Sequence, residues 1–300
     1  MDTTTYDVIV IGAGPVGENV ADRVTQGGLS AAIVERELVG GECSYWACIP
    51  TKALLRSGAA LRAARDVPGA REALTGGLDV AAVLGRRDAF AASWKDEGQV
   101  SWLDQAGISL YRGQGRINST RTVEVTGDDG ATTVLTARHA VVLATGSGAL
   151  VPDIAGLREA GPWTNREAAA AAAVPDRLAI LGGGAVAAEM ATAFAGLGAS
   201  VTMLVRDGVL PRAEPFAGDL VVESLRDADI VRSIVDMHAG SVKVESRRGT
   251  VPGHTSRAGV YLTVIFMTVR YTPHGGDRRQ FREPRPLAAP DCHEFPASSE

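Results

Sequence analysis

The sequence predicts an α/β fold made of two dinucleotide-binding units of the same kind, the second incomplete. Three observations carry this. A short apolar strand, Asp7 to Ile11, runs into Gly12-Ala13-Gly14-Pro15-Val16-Gly17 and then a helical stretch to about Gln26. The pattern returns 170 positions later (12 to 182), where Leu178 to Leu181 precedes Gly182-Gly183-Gly184-Ala185-Val186-Ala187 and a helix from Ala188 to Leu197. A further apolar strand follows each helix, Ala31 to Val34 and Ala199 to Val205.

In the first unit Gly12, Gly14 and Gly17 allow a tight turn, a close backbone approach to a pyrophosphate and close helix–strand packing. The helix that follows offers unpaired N–H groups to the phosphates. Glu35, eighteen positions past Gly17 (17 to 35), ends the second strand and is placed to accept from ribose hydroxyls. In the second unit Gly182 and Gly184 repeat the first two positions, and Ala187 takes the third, which the pattern permits. These are Rossmann-like signatures. The second unit's next strand ends in Arg206 where a 2′-hydroxyl site carries an acid, and Arg212 follows. Arginine grips phosphate with two parallel bonds, so this favours a 2′-phosphate, NADP over NAD.

Between the turns, residues 53 to about 106 read as helical, interrupted near Pro68-Gly69 and Gly76-Gly77. Trp94 and Trp102 are eight apart, the spacing of one buried helical face. From Ile108 the period shortens, giving strands at Ile108 to Tyr111, Gly115 to Ile117, Thr122 to Thr126 and Thr133 to Thr136, with turns at Asn118-Ser119 and Gly127 to Gly130. Ala140 to Leu143 reads as a buried strand running into the small-residue turn Ala144-Thr145-Gly146.

The chemistry concentrates in Gly40 to Lys52, which holds Cys43 and Cys48, two of the three cysteines. On a regular helix Cα atoms five apart are separated by about 8.6 Å, and a disulfide wants less than about 7 Å. A bridge therefore needs an irregular turn at the head of a helix. Pro50 suits a first helical turn. A thiol at such a terminus faces the positive end of the helix dipole, which favours its thiolate.

Gly41-Glu42-Cys43 through Cys48-Ile49-Pro50-Thr51-Lys52 resembles the redox segment of the class I pyridine nucleotide–disulfide oxidoreductases, the family of dihydrolipoamide dehydrogenase, glutathione reductase and mercuric reductase. The resemblance spans about the first 228 residues. It implies FAD on the first glycine turn, NAD(P)H on the second, and Lys52 beside the flavin. It also implies Ala144-Thr145-Gly146 approaching the FAD, Glu189 as the family glutamate on the second unit's helix, and Cys43–Cys48 as a redox disulfide, with Cys48 nearer the flavin and Cys43 meeting the substrate. The domains expected are 1–150 for FAD and the thiols, 151–228 for a partial NAD(P) unit, and an atypical tail at 229–300.

Composition bounds the rest. A 300-residue chain that is 45% apolar suggests about two globular domains. A net charge of −5 gives no reason to expect a nucleic acid. The start reads as strand rather than signal peptide, and the longest apolar run, Val260 to Val269, falls short of the roughly 20 residues that span a membrane. The expectation is a cytoplasmic protein without membrane or metal, whose cysteines serve catalytic or incidental rather than structural roles.

In the tail, five of the fourteen prolines fall between Pro273 and Pro296. Gly276-Asp277 lacks the preceding apolar strand of the family's Gly-Asp element. Neither His139 nor the tail's four histidines has the family's His-Pro and Glu context, and the family's dimerisation domain is not found, so its homodimer is in doubt. Cys292 lies apart from the other thiols. The reading is an FAD-dependent enzyme passing electrons from NAD(P)H to Cys43–Cys48 and on to a disulfide or other small-molecule acceptor. Its rivals are a non-catalytic flavin-binding remnant, and a flavin reductase acting on a quinone or metal ion without the thiols.

Overall fold

A computed structural model describes residues 3–154, 156–205, 208–227, 231–236 and 260–264. Strand β1 (Thr3–Ile11), helix α1 (Pro15–Gln26) and strand β2 (Ala31–Glu35) open the chain. Helices α2 (Gly41–Tyr45), α3 (Cys48–Asp66), α4 (Val80–Phe90) and α5 (Glu97–Gln105) follow, then strands β3 (Ile108–Arg112), β4 (Gln114–Ser119), β5 (Thr122–Thr126) and β6 (Thr132–Leu143). The six strands form one sheet in the order β3-β2-β1-β6-β5-β4. β1 pairs in parallel with β2 and β6, and β2 with β3, whereas β4, β5 and β6 form an antiparallel edge.

Alternation along β1 and β2 builds a core on each face of this sheet. Val8, Val10, Ala31 and Ile33 pack with Ala21 of α1 and Leu103 of α5. Ile9, Ile11, Ala32 and Val34 face Val123, Val125 and Leu135 instead. Because both faces are covered, β2 is a continuous apolar run rather than an alternating one. Fully burying each of Ile9 and Ile33 contributes about 2 kcal/mol.

Helix α6 (Asn165–Ala169) leads into the second unit, which holds β7 (Arg177–Leu181), α7 (Ala185–Gly196), β8 (Ser200–Val205), α8 (Pro215–Asp227), β9 (Val231–Asp236) and β10 (Val260–Val264). Its four strands are all parallel, in the order β10-β7-β8-β9. Helix α7 is alanine-rich and buries Met190 and Phe194 among Leu178, Ile180, Val201 and Met203. Strands β9 and β10 lie beyond residue 228, so the second sheet draws on chain past the point where the sequence reading stopped. Both sheets belong to one compact unit, Met1–Thr268. Leu54 of α3, Val83 and Leu84 of α4, Ala193 of α7 and Leu197 just after it form a shared core between them.

Two local expectations are corrected. Trp94 and Trp102 do not share a helical face: Trp102 sits on α5, 38% exposed, and Trp94 closes a short turn whose residues Ala92, Ser93 and Trp94 all have positive φ. That left-handed turn breaks the helix the spacing suggested. The Thr133–Thr136 and Ala140–Leu143 strands are one strand, β6, and its last residue, Leu143, is 64% exposed because the sheet ends there. Arg206, Cys292, Gly276-Asp277 and His238, His254, His274 and His293 lie outside the described residues. Among those described, no helix is long and apolar enough to cross a membrane.

Candidate active site

The first glycine turn is fixed by contacts that only glycine tolerates. Gly12 has φ +102°, and a Cβ there would stand 2.3 Å from the Ala144 carbonyl oxygen. A Cβ on Gly17 would stand 1.9 Å from the Gly12 oxygen. Ala144 N–H donates to the Ile11 carbonyl at 2.8 Å, so Ala144 and Thr145 lie directly against this turn. Gly146, with φ +67°, then turns the chain away.

Gly14 behaves differently. It caps α1 with no side-chain hydrogen bond, and a Cβ there would meet nothing within 4 Å. The first-turn N–H groups of a helix have no partner inside it, and the space beside Gly14 at its start is open. That cradle fits a pyrophosphate. Glu35 does more than await a ribose: its carboxylate accepts from Ala13 N–H at 2.7 Å and Glu37 N–H at 2.8 Å, which ties the end of β2 to the turn.

The thiol segment is built onto the same turn. Gly40 N–H donates to the Ala13 carbonyl at 2.7 Å. A Cβ on Gly41, which has φ +56°, would stand 2.8 Å from the Gly14 Cα. Cys43 lies two residues on, in α2. The chain then breaks at Trp46 (φ −133°, ψ 0°) and Ala47 (φ −134°, ψ −96°), and Cys48 begins α3. This is the irregular turn the spacing demanded. Both cysteines are thiols, Cys43 half-buried and Cys48 exposed. Burial, then the adjoining Cys48 thiol, push Cys43 up to about 11. Cys43 sits inside the short helix α2 (Gly41–Tyr45), and Cys48 opens α3.

Residues distant in sequence hold this segment. Tyr45 is buried, accepts from Trp94 Nε1 at 3.1 Å through its carbonyl and donates its hydroxyl to the Lys95 carbonyl at 3.3 Å. Glu42 accepts from Arg166 Nε at 2.6 Å and from Asn165 Nδ2 at 3.0 Å. Lys52 of α3 donates to Glu189 of α7 at 2.6 Å, which joins the two units. Beside Ser44 a cavity of about 390 Å³ opens between α1, α2 and α5, lined by Glu18, Asn19, Asp22, Gln99 and Trp102. Burial raises the Glu18 carboxyl above its ordinary range.

The second turn repeats the first. Gly182 has φ +127°, Ala187 is fully buried, and Gly184 caps α7 without a side-chain bond and with open space at its Cβ. Gly183, not singled out from the sequence, is the tight one: a Cβ there would stand 2.1 Å from the Gly208 oxygen. Leu210 N–H donates to the Gly183 carbonyl at 2.7 Å, so the loop carrying the exposed Arg212 is anchored on this turn. Glu37, Asn165 and Arg166 were also missed. Arg166 meets partners 124 and 129 positions away, which no local period reveals. The only sequence trace is the capping box Thr164–Glu167, which marks a helix start but not its partners.

Two sheets, each with a glycine turn facing an open cradle at a helix N-terminus, define an FAD/NAD-binding Rossmann-like fold. The profile of the pyridine nucleotide-disulphide oxidoreductases matches residues 6–257, and the chain belongs to that family of FAD-dependent enzymes. The match runs past residue 228, further than the motifs alone suggested. A mercuric reductase of Staphylococcus aureus is 30% identical over 74% of this chain and 40% of its own length. A dihydrolipoyl dehydrogenase of Acholeplasma laidlawii is 31% identical over 83% of this chain and 76% of its own. Among solved structures, the Cu(II) complex of the HOCl-induced flavoprotein disulfide reductase RclA from Escherichia coli superposes with a TM-score of 0.70 at 22% identity. It covers 89% of this chain and 57% of that one.

Proposed function

We propose that this chain takes electrons from NAD(P)H, with NADPH favoured, and delivers them to the Cys43–Cys48 pair and from there to a disulfide or other small-molecule acceptor. The observation that carries the reading is the seating of Gly40 and Gly41 on Ala13 and Gly14, which sets the thiols beside the first phosphate cradle. FAD, when bound, supplies the two-electron relay between nicotinamide and sulfur. The first-turn N–H groups of α1 would hold its pyrophosphate, and the second cradle with Arg212 would hold the nicotinamide dinucleotide.

The residues' own task is sulfur exchange. An oxidised pair takes up two electrons and two protons to become the dithiol. One thiolate then attacks an acceptor disulfide, forming a mixed disulfide and releasing one acceptor thiolate. The second cysteine displaces the other acceptor thiolate, and the protein's own S–S bond reforms. Burial pushes the Cys43 thiol up, so forming its thiolate as the acceptor arrives would draw on a base.

The test is anaerobic addition of NADPH to the flavin-loaded chain, followed by an aromatic disulfide. Bleaching and then stoichiometric thiol release, lost in Cys43→Ser, support the reading. Flavin reduction with full acceptor turnover in Cys43→Ser points to a flavin reductase, and an unchanged flavin spectrum to a remnant.

A further inference from the structure

We propose that Arg166 is a positioning residue for the thiol pair, setting how readily Cys43 and Cys48 close into a disulfide; this rests on the functional reading above. The guanidinium bridges two carboxylates on either side of the thiol segment's entrance. It donates to Glu42 through Nε at 2.6 Å and lies 2.5 Å from it through Nη2, and it donates to Glu37 through Nη1 at 3.3 Å and Nη2 at 2.8 Å. Its guanidinium carbon Cζ lies over the Trp46 ring, 4.1 Å from the ring centre. The neighbouring Asn165 donates to Glu42 at 3.0 Å and to the Trp46 carbonyl at 3.1 Å.

These contacts fall where sulfur chemistry needs them. Glu42 immediately precedes Cys43, and Trp46 is one of the two residues at the break between α2 and α3. A five-residue spacing closes a disulfide only while that break brings the Cα atoms together. Two adjacent residues of α6 grip both the residue before the first cysteine and the break itself. α6 in turn is held by its own capping box, with Thr164 and Glu167 satisfying each other's backbone and side chain. The bend therefore rests on an element of the second unit and not on the thiol segment alone. Arginine is required because only its fork spans two carboxylates while stacking on an indole.

The assay needs neither cofactor nor turnover. The 300-residue chain is equilibrated with glutathione redox buffers, trapped and counted for thiols, giving the effective concentration of Cys48 toward Cys43. Arg166→Ala is expected to lower it about tenfold, a rise of about 30 mV in potential, and to hasten Cys43 alkylation as α2 loosens. Arg166→Lys keeps the charge but not the fork, and is expected to follow Arg166→Ala. A scaffold role alone would lower Tm while leaving this equilibrium unmoved, so values within twofold of wild type in a folded Arg166→Ala overturn the assignment. Should that variant not fold, Glu37→Gln, which opens one arm far from sulfur, decides: about a threefold fall upholds it and an unchanged value overturns it. A wild-type chain that forms no Cys43–Cys48 bridge at any glutathione ratio overturns the functional reading and this assignment together.

Discussion

Gly41 rests on Gly14: the position a Cβ would take on the first is 2.8 Å from the Cα of the second. The start of the thiol helix and the phosphate turn are thus one packed object, and substitutions at the two glycines should separate stability from binding. Gly41→Ala adds an atom against backbone and forces alanine to φ +56°, so it should cost about 2 kcal/mol or more in denaturant unfolding. Gly14→Ala meets nothing within 4 Å at an ordinary φ of −74° but puts alanine at the N-cap of α1, so it should cost about 1 kcal/mol, less than Gly41→Ala. Its methyl enters the phosphate space, so flavin affinity should fall at least about tenfold.

The Lys52–Glu189 pair is short at 2.6 Å, but its side chains are 62% and 34% exposed. Exposed pairs contribute about 0.5 kcal/mol. Glu189→Gln should therefore shift Tm by little, and the small loss should vanish in high salt. A shift of many degrees would mean that this bridge, rather than the apolar core of Leu54, Leu84 and Leu197, holds the two units together.

Cys43 gives a pH signature. Its folded value of about 11 lies above the ordinary 9.0, so the folded state keeps the proton longer than the unfolded state does. Stability from this group is whole below pH 9 and is lost as pH rises toward 11. Alkylation of Cys43 should rise about tenfold per pH unit through that window, with the exposed Cys48 modified first. Cys43→Ser should flatten this part of the stability–pH curve.

Cofactor preference should follow the arginines after β8. Arg212→Ala should raise KM for NADPH about tenfold while leaving KM for NADH nearly unchanged, because only the 2′-phosphate loses a partner. Equal effects on the two nucleotides would assign Arg212 to the pyrophosphate or to the surface.

The parts of the fold legible in the sequence were those written in local patterns. The two glycine turns, the buried runs of β1 and β2 and the break forced by five-residue cysteine spacing all announce themselves within a dozen residues. Trp94 misled because its spacing to Trp102 matched a helix that three left-handed residues interrupt. Arg166, Glu37 and Gly183 were invisible for another reason: each acts through partners from a separate element, and only the folded chain brings these together.

The central claim is that residues 43 and 48 form a reversible bridge fed from the flavin turn. The most direct measurement is peptide mass mapping of the oxidised, flavin-loaded chain before and after anaerobic NADPH. The account predicts a linked Cys43–Cys48 peptide that separates into two free thiols on adding NADPH. A flavin that bleaches while that bridge stays closed, or a bridge that never forms, would contradict it.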